Sequence, residues 1–187
     1  MQDRDVGVAA GFDLAELLQE YDRARAYTDR LWCDLTVEEV RWRSGEQASA
    51  IAWHLGHQAH VAHFMVRNLT AAEPSPDPDL DGVMDSATPE PARGDMPGLA
   101  RLRVYRDTVA ERVHARLGAI DDGRVGAPAQ LRVIGRTLLV ALVNHEYQHD
   151  QWIGEVRLRN LGHPLPERPV SDRLELLDGY PVLRWPT

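Results

Sequence analysis

The stretch that decides the fold lies at residues 131–160 and reads LRVIGRTLLVALVNHEYQHDQWIGEVRLRN. Apolar residues recur in it every three or four positions, the spacing that places side chains on one face of an α-helix. The apolar face predicted from this spacing comprises Ile134, Leu138, Ala141, Leu142, Trp152 and Val156. Gly162 and Pro164 follow and are typical of a helix end. We therefore predict one long helix over residues 131–160.

Three other stretches show the same periodicity, at residues 13–35, 49–69 and 99–120. Each is long enough for several helical turns, and each carries an apolar face that must be buried against a partner. Strand signals are few. Together with the last helix, these stretches predict an all-α protein, a four-helix bundle over residues 12–160.

Two segments fall outside the predicted helices. Residues 71–97 are rich in Pro, Asp and Gly and predict a long surface loop between the second and third helices, which could act as a lid. The Pro-rich C-terminal tail, residues 161–187, is expected to pack on the bundle. Its stretch at residues 176–180 predicts a small hairpin.

Composition and charge limit the classes of function. The chain has 187 residues, 43% hydrophobic and 27% charged, the balance of one globular domain. Its net charge is -8 and its basic residues are all arginine, spread along the chain, so we expect no nucleic-acid partner. The absence of lysine excludes a lysine Schiff base, and the single cysteine, Cys33, excludes an internal disulfide. Finding no membrane-spanning stretch, we expect a cytoplasmic protein without a membrane partner.

Two histidines of the last predicted helix, His145 and His149, lie one turn apart on its apolar face. A buried imidazole without a hydrogen-bond partner costs about 1–3 kcal/mol, and two rings that point the same way seldom satisfy each other. A metal ion satisfies both, and the i, i+4 spacing suits one coordination sphere. This pair therefore predicts a metal site in the bundle core.

The second predicted helix carries four histidines, at positions 54, 57, 60 and 63. Each is rotated by about 60° from the previous one, so they cannot all face one point. His57 shares an inward surface with Trp53 and is the first choice for a third ligand. His60 and His54 flank it as further candidates, whereas His63 is expected to be solvated or to lie behind the ligands.

The motif His145-Glu146-Tyr147-Gln148-His149 also matches the zincin metalloproteases, in which the glutamate activates water. That interpretation needs a third ligand downstream. The metzincin extension would require glycine at position 152 and histidine at position 155, where this chain has Trp152 and Glu155. We therefore disfavour a protease.

The same residues resemble those of a known family. The segment Arg41-Trp42-Arg43-Ser44, the helix start that runs to His57, and the stretch Asn144–Asp150 are similar in order and helix placement to the DinB-like (DinB/YfiT) superfamily of metal-binding four-helix-bundle proteins. The resemblance covers roughly residues 12–160. It implies that the metal ligands are His57, His145 and His149.

The resemblance also implies a function, because several characterised relatives are transferases or isomerases that use mycothiol, bacillithiol or glutathione. We expect a metal-dependent thiol S-transferase or isomerase that acts on a small electrophile. Zinc is the first expectation for the metal, with nickel or iron next. Glu146 would be a base or lie behind the ligands. Arg106 falls on the apolar face of its helix; either it reaches the surface, or it faces a cavity and holds a carboxylate of the thiol cofactor.

Two alternatives stay open. A metal-dependent hydrolase would use bound hydroxide and would need a base beside it. A non-catalytic metal-binding stress protein would have a closed coordination sphere, completed by His60 or His54. In that case the bundle would serve as a surface for a partner or for a second copy, so a homodimer is a further expectation.

Overall fold

The structure, a computed structural model, describes residues 12–70 and 72–184. It is 62% helical with one small two-stranded sheet, which confirms the predicted all-α class. Position 71 of the predicted loop and positions 185–187 of the predicted tail lie outside the described residues. The helices, in chain order, are α1 (Leu14–Trp32), α2 (Val37–Arg41), α3 (Ile51–Val66), α4 (Pro78–Met84), α5 (Leu99–Asp121) and α6 (Pro128–Glu155).

The four long helices α1, α3, α5 and α6 form the bundle. Both α1 and α3 pack against α5 and against α6, so that α3 and α6, which carry the predicted ligands, are neighbours. Asp13 caps α1 by accepting a hydrogen bond from the backbone of Glu16, whose side chain bonds back to Asp13. The apolar faces of the four helices meet in one continuous core.

The orientation of α6 differs from the predicted one. Its buried residues are Gly135, Leu139, Val140, Leu142, Val143, Glu146, Tyr147, His149, Asp150, Ile153 and Gly154. Ile134 and Trp152, which the periodicity assigned to the core, are each 39% exposed. The helix has two faces with three-four spacing, and the bundle buries the one that lies about 100° away from the predicted face. Glu146 and Asp150 therefore turn inward, although both are acidic.

The long connection between α3 and α5 is present as predicted, but it is not an extended surface loop. It contains α4 and a 3₁₀ turn at Glu90–Ala92. Its polar groups bond to the start of α3: Trp53 Nε1 donates to the Val83 carbonyl at 3.1 Å, and Ser49 donates to Glu90. These bonds hold the connection against the N-terminal part of α3.

The tail forms the predicted hairpin and lies against α6. After a π-helical turn at Val156–Asn160, strands β1 (Leu174–Leu177) and β2 (Tyr180–Leu183) pair in antiparallel fashion. Asp178 and Gly179 join the strands with φ of 52° and 86°, the left-handed pair of a two-residue hairpin turn. The Leu183 amide donates to Asn144 Oδ1 at 2.7 Å, which ties the hairpin to α6.

Within residues 12–70 and 72–184, no helix is both long enough and apolar enough to cross a bilayer.

Candidate metal centre

Three histidines meet between α3 and α6. His57 of α3 and His145 and His149 of α6 each offer a ring nitrogen, and these three atoms all lie within 4.8 Å of one another. The ring centroids are 5.3 Å apart for His57 and His145, 5.0 Å for His57 and His149, and 4.4 Å for the pair on α6. The fold thus brings together three imidazole donors that could hold one metal ion.

His57 is oriented by groups on both sides of its ring. Its Nδ1 lies 2.7 Å from the carbonyl oxygen of Met84, so Nδ1 carries the hydrogen and donates it. The lone pair is then on Nε2, the state required of a metal ligand. The Trp53 ring stacks on His57 with centroids 4.5 Å apart and planes 13° from parallel. Neither the tautomer nor the ring orientation is left free.

His149 has an orienting neighbour as well, since its Nδ1 lies 2.8 Å from Nδ1 of His54. When His149 donates the hydrogen of this bond, its own Nε2 carries the lone pair. His54 therefore stands behind His149 and outside the group of three donors. Among the described residues, His60 also lies outside this group, with its ring centroid 6.4 Å from that of His57.

Burial keeps these imidazoles neutral. It lowers the pKa of His145 to about 4, with a smaller contribution from the positive charge that His57 would carry. Burial likewise lowers the pKa of His57 and of His149, and it lowers that of His54 to about 3. Neutral imidazole is the form that binds a metal, so at neutral pH no proton has to leave the three nitrogens first.

His63 is not solvated, so the first of the two alternatives predicted for it is wrong. It is 0% exposed, and neither ring nitrogen finds a hydrogen-bond partner among the described residues. The reason is that α3 is enclosed on nearly its whole circumference, by α5, by α6 and by α4. A side chain of α3 that points away from His57 therefore meets another buried surface and not solvent.

A groove of about 660 Å³ is lined in part by His54. Its lining includes Trp53, His54 and Trp152, and also Arg159, which pairs with Glu155 at 2.5 Å. Small-molecule sites commonly have volumes of about 300–1,000 Å³. The groove is therefore large enough for a small substrate. His54, which contacts His149, lines it, and His57, His145 and His149 do not.

Arg106 neither reaches the surface nor lines this groove. It is 2% exposed, and its Nη1 donates to the Leu55 carbonyl at 2.9 Å and to Gln58 Oε1 at 2.8 Å. Its Nη2 lies 3.6 Å from Glu146 Oε2. The interpretation that Arg106 reaches the surface is thus wrong. Its guanidinium donates its hydrogen bonds to groups inside the bundle.

Glu146 belongs to the same interior network. It is 2% exposed, and Thr28 Oγ1 of α1 lies 3.0 Å from its Oε2 and 2.7 Å from Asp150 Oδ1. Gln58 Nε2 of α3 donates to the Glu146 carbonyl at 3.1 Å and to Asp150 Oδ1 at 3.3 Å. With Arg106 of α5, all four long helices contribute to one buried polar network beside the three histidines.

Sequence reasoning missed Thr28, Gln58 and Asp150. One signal was present: Glu146 and Asp150 are one turn apart and fall on the second periodic face of α6. Acidic residues on an otherwise apolar face are costly unless they are bonded, so such a pair marks a polar network when partners face it.

The bundle and its three converging histidines define a class: helical proteins with a candidate metal site between two helices. The family model of the DinB superfamily matches residues 20–153 of this chain. The chain therefore belongs to the DinB superfamily, as the sequence motifs indicated. A search of curated protein sequences finds no match to this chain.

Proposed function

We propose that His57, His145 and His149 hold one divalent metal ion and that the protein is a metal-dependent thiol S-transferase or isomerase for a small electrophile. The observation that carries the proposal is the convergence within 4.8 Å of three neutral imidazole nitrogens, those of the buried His57 and His149 and of the half-buried His145. The donor set fits a zinc, nickel or iron ion, with zinc first on availability. An ion held by three imidazoles keeps a position open, where it lowers the pKa of a thiol or a water molecule.

The position of Glu146 favours thiol transfer over hydrolysis. A hydrolase needs a base close to the attacking water, but the Glu146 carboxylate is directed into the bundle, towards Thr28 and Arg106. A thiol depends less on such a base, because its pKa of about 8.5 needs only a small lowering before the proton leaves to solvent, whereas the pKa of water starts at about 15.7. The sulfur then forms a bond to the electrophilic carbon, and the leaving group departs with the electron pair of the bond that breaks.

The surroundings of the three histidines support a catalytic role over a closed storage site. Neither His54 nor His60 belongs to the group of converging donors, so the set leaves coordination positions for a substrate. The groove lined by His54 also offers two apolar residues, Trp53 and Trp152, and an arginine. That arginine is Arg159. We propose that Arg159, in place of Arg106, binds a carboxylate of the thiol.

Metal binding is tested first. The purified chain is stripped with a chelator and titrated with Zn²⁺, Ni²⁺ and Fe²⁺ while heat and bound metal are measured. We expect one ion per chain, and its loss in His145→Ala and in His149→Ala. His114→Ala is the matched control, because His114 pairs with Asp22 at 41% exposure and is not among the three converging donors. Equal metal content in all four proteins would contradict the proposed site.

Catalysis is tested with a panel of low-molecular-weight thiols and small electrophiles, followed by mass spectrometry of the products. The metal-loaded chain is expected to form a thioether or an isomerised product with at least one thiol. Addition of chelator, or the His145→Ala substitution, should abolish the reaction, whereas His114→Ala should not. Metal binding without any thiol-dependent conversion would leave the non-catalytic alternative, and hydrolysis of an ester panel would favour the hydrolase.

A further inference from the structure

Each of the three converging histidines is followed in the sequence by a buried polar residue. Gln58 follows His57, Glu146 follows His145, and Asp150 follows His149. One residue along a helix is a rotation of about 100°, so the three polar residues form a second layer beside the three imidazoles. Gln58 is the member of this layer that bridges α3 and α6 with a side chain.

The amide of Gln58 joins the two helices at the level of the histidines. Its nitrogen donates to the Glu146 carbonyl at 3.1 Å and to Asp150 Oδ1 at 3.3 Å. Both acceptors belong to residues that directly follow predicted ligands on α6. The two hydrogen bonds of Gln58 therefore constrain the distance between His57 and the two histidines of α6, His145 and His149.

The orientation of the amide is determined by α5. Its oxygen accepts a hydrogen bond from Arg106 Nη1 at 2.8 Å, and the same nitrogen of Arg106 donates to the Leu55 carbonyl at 2.9 Å. A flipped amide would place its NH₂ group against a guanidinium donor and its oxygen against the Glu146 carbonyl. Both contacts are repulsive, so Gln58 always presents its donor to α6.

Metal binding is sensitive to small displacements of these helices. Metal–nitrogen bonds are about 2.0–2.1 Å long, so three nitrogens of one coordination sphere have little freedom in their mutual distances. In the structure the three nitrogens are already within 4.8 Å of one another. Groups that hydrogen-bond to metal ligands typically contribute about 10- to 100-fold to metal affinity. We expect an effect of that order from a residue that sets the spacing of the helices that carry the ligands.

We propose that Gln58 is a positioning residue of the metal centre, which holds α3 and α6 at the separation that lets His57, His145 and His149 bind one ion. The inference rests on the proposed metal site, but it does not depend on which reaction occurs there. Thr28 supplies the contrast: from α1, a helix that carries none of the three histidines, it bonds to the side chains of the same two residues, Glu146 and Asp150.

The experiment compares Gln58→Met with Thr28→Val in the full chain, because both remove polar contacts to Asp150 at nearly constant volume. Zn²⁺ affinity is measured by titration against a competing chelator, and thermal unfolding without metal measures the loss of stability. Both variants should unfold at a lower temperature than the wild type. Gln58→Met should bind Zn²⁺ about 10- to 100-fold more weakly, and Thr28→Val within about threefold of the wild type.

Co²⁺ provides a readout that a general loss of stability would not change. Its visible spectrum reports the coordination geometry, and we expect an altered spectrum for Gln58→Met and a wild-type spectrum for Thr28→Val. Should Gln58→Met fail to fold, Gln58→Glu replaces it, because a carboxylate keeps the acceptor for Arg106 and loses the donor to α6. Weakened Zn²⁺ binding in that variant is the expected result.

The outcomes separate this inference from the proposed function. Wild-type affinity in the Gln58 variant, or equal weakening in both variants, overturns the positioning role and leaves the metal site intact. A wild-type chain that binds no metal overturns the proposed site and the positioning role together.

Discussion

Nδ1 of His57 lies 2.7 Å from the carbonyl oxygen of Met84, at the end of α4. This bond connects the proposed metal centre to the long connection between α3 and α5. The bond leaves the lone pair on Nε2 of His57. The connection therefore determines the tautomer of one predicted metal ligand, although no predicted ligand lies in the connection. A change that displaces Met84 should consequently weaken metal binding.

Gly56→Ala is such a change. A Cβ atom at position 56 would lie 2.2 Å from Met84 Sδ and 2.5 Å from its Cε, so the methionine side chain, which is 0% exposed, must move. We expect a loss of about 1–3 kcal/mol in the free energy of unfolding, the usual cost of overpacking a core. We expect this shift to be transmitted to the Met84 carbonyl, which accepts from His57, and Zn²⁺ affinity to fall as well.

Gly82→Ala is the matched control for that substitution. It lies in α4, and a Cβ there would meet nothing within 4 Å. We expect wild-type metal affinity and unchanged or slightly higher stability, since alanine favours a helix over glycine by up to about 1 kcal/mol. Unaltered Zn²⁺ binding by Gly56→Ala would contradict the role of the connection.

Asp150→Asn should stabilise the metal-free protein at neutral pH. Burial, and next the charge of Glu146, raise the pKa of the Asp150 carboxyl well above its usual range, and its Oδ2 finds no hydrogen-bond partner among the described residues. A raised pKa means that the native state holds a proton that the unfolded state releases, which costs stability as pH rises above the unfolded value. Asparagine is neutral at every pH and has no such cost.

Urea unfolding of the wild type and Asp150→Asn at several pH values measures this effect. The variant should gain about 1 kcal/mol or more at neutral pH, and the gain should shrink towards pH 4, where the unfolded carboxyl is protonated too. Thr28 and Gln58 can still donate to the oxygen of asparagine. A variant that is less stable than the wild type at neutral pH would show that the native carboxyl is ionised.

Acidification should destabilise the metal-free protein through its buried histidines. The pKa of His145 falls from 6.5 to about 4 on folding, and those of His54, His57, His60, His63 and His149 are also lowered, in each case chiefly by burial. The native state then binds fewer protons than the unfolded state between those two values. Stability is fully present above pH 6.5 and is lost as pH falls through this window.

The lowered pKa of His145 alone corresponds to a loss of at most about 3 kcal/mol in the free energy of unfolding. Asp150 acts in the opposite direction in the same window, but it is one group against six, so the net effect is a loss. The free energy of unfolding is measured by urea titration between about pH 7 and pH 4. A constant or rising value over that range would mean that these histidines are not buried in the metal-free protein.

Arg106→Met should destabilise the bundle strongly. The substitution removes the donor to Leu55 and Gln58 and leaves Glu146 buried without its cation, a loss that typically costs about 3–5 kcal/mol. Arg103→Met, on the exposed side of the same helix, should change stability by only about 0.5 kcal/mol. Thermal unfolding of both variants provides the test. A mild effect of Arg106→Met would favour a ligand-binding role for this arginine after all.

Much of the fold was predictable from local patterns. Periodicity located the four long helices to within a few residues, and the turn residues Asp178 and Gly179 located the hairpin, because both signals depend on neighbours in the chain. The three histidines could be chosen because two are one turn apart on a single helix and the third lies on a strongly apolar one. The family membership rested on the same motifs, and the match over residues 20–153 confirms it.

The rotation of α6 and the partners of its inward side chains were not predictable in this way. Two faces of that helix have similar spacing, and the choice between them depends on what α1, α3 and α5 present to it. Thr28, Gln58 and Arg106 are far apart in the sequence, so their convergence on Glu146 and Asp150 follows only from the bundle geometry. The same holds for the contact between His57 and Met84.

The sequence by itself determined that this chain forms a helical bundle of the DinB superfamily with imidazole donors on two of its helices. Local periodicity and residue chemistry suffice for that, because they act within a few turns of one helix. Only the tertiary structure decided which side of α6 is buried, that Glu146 faces the interior, and that Gln58 bridges the helices that carry the histidines. Those features depend on distances between segments that are remote in the chain, which no local pattern encodes.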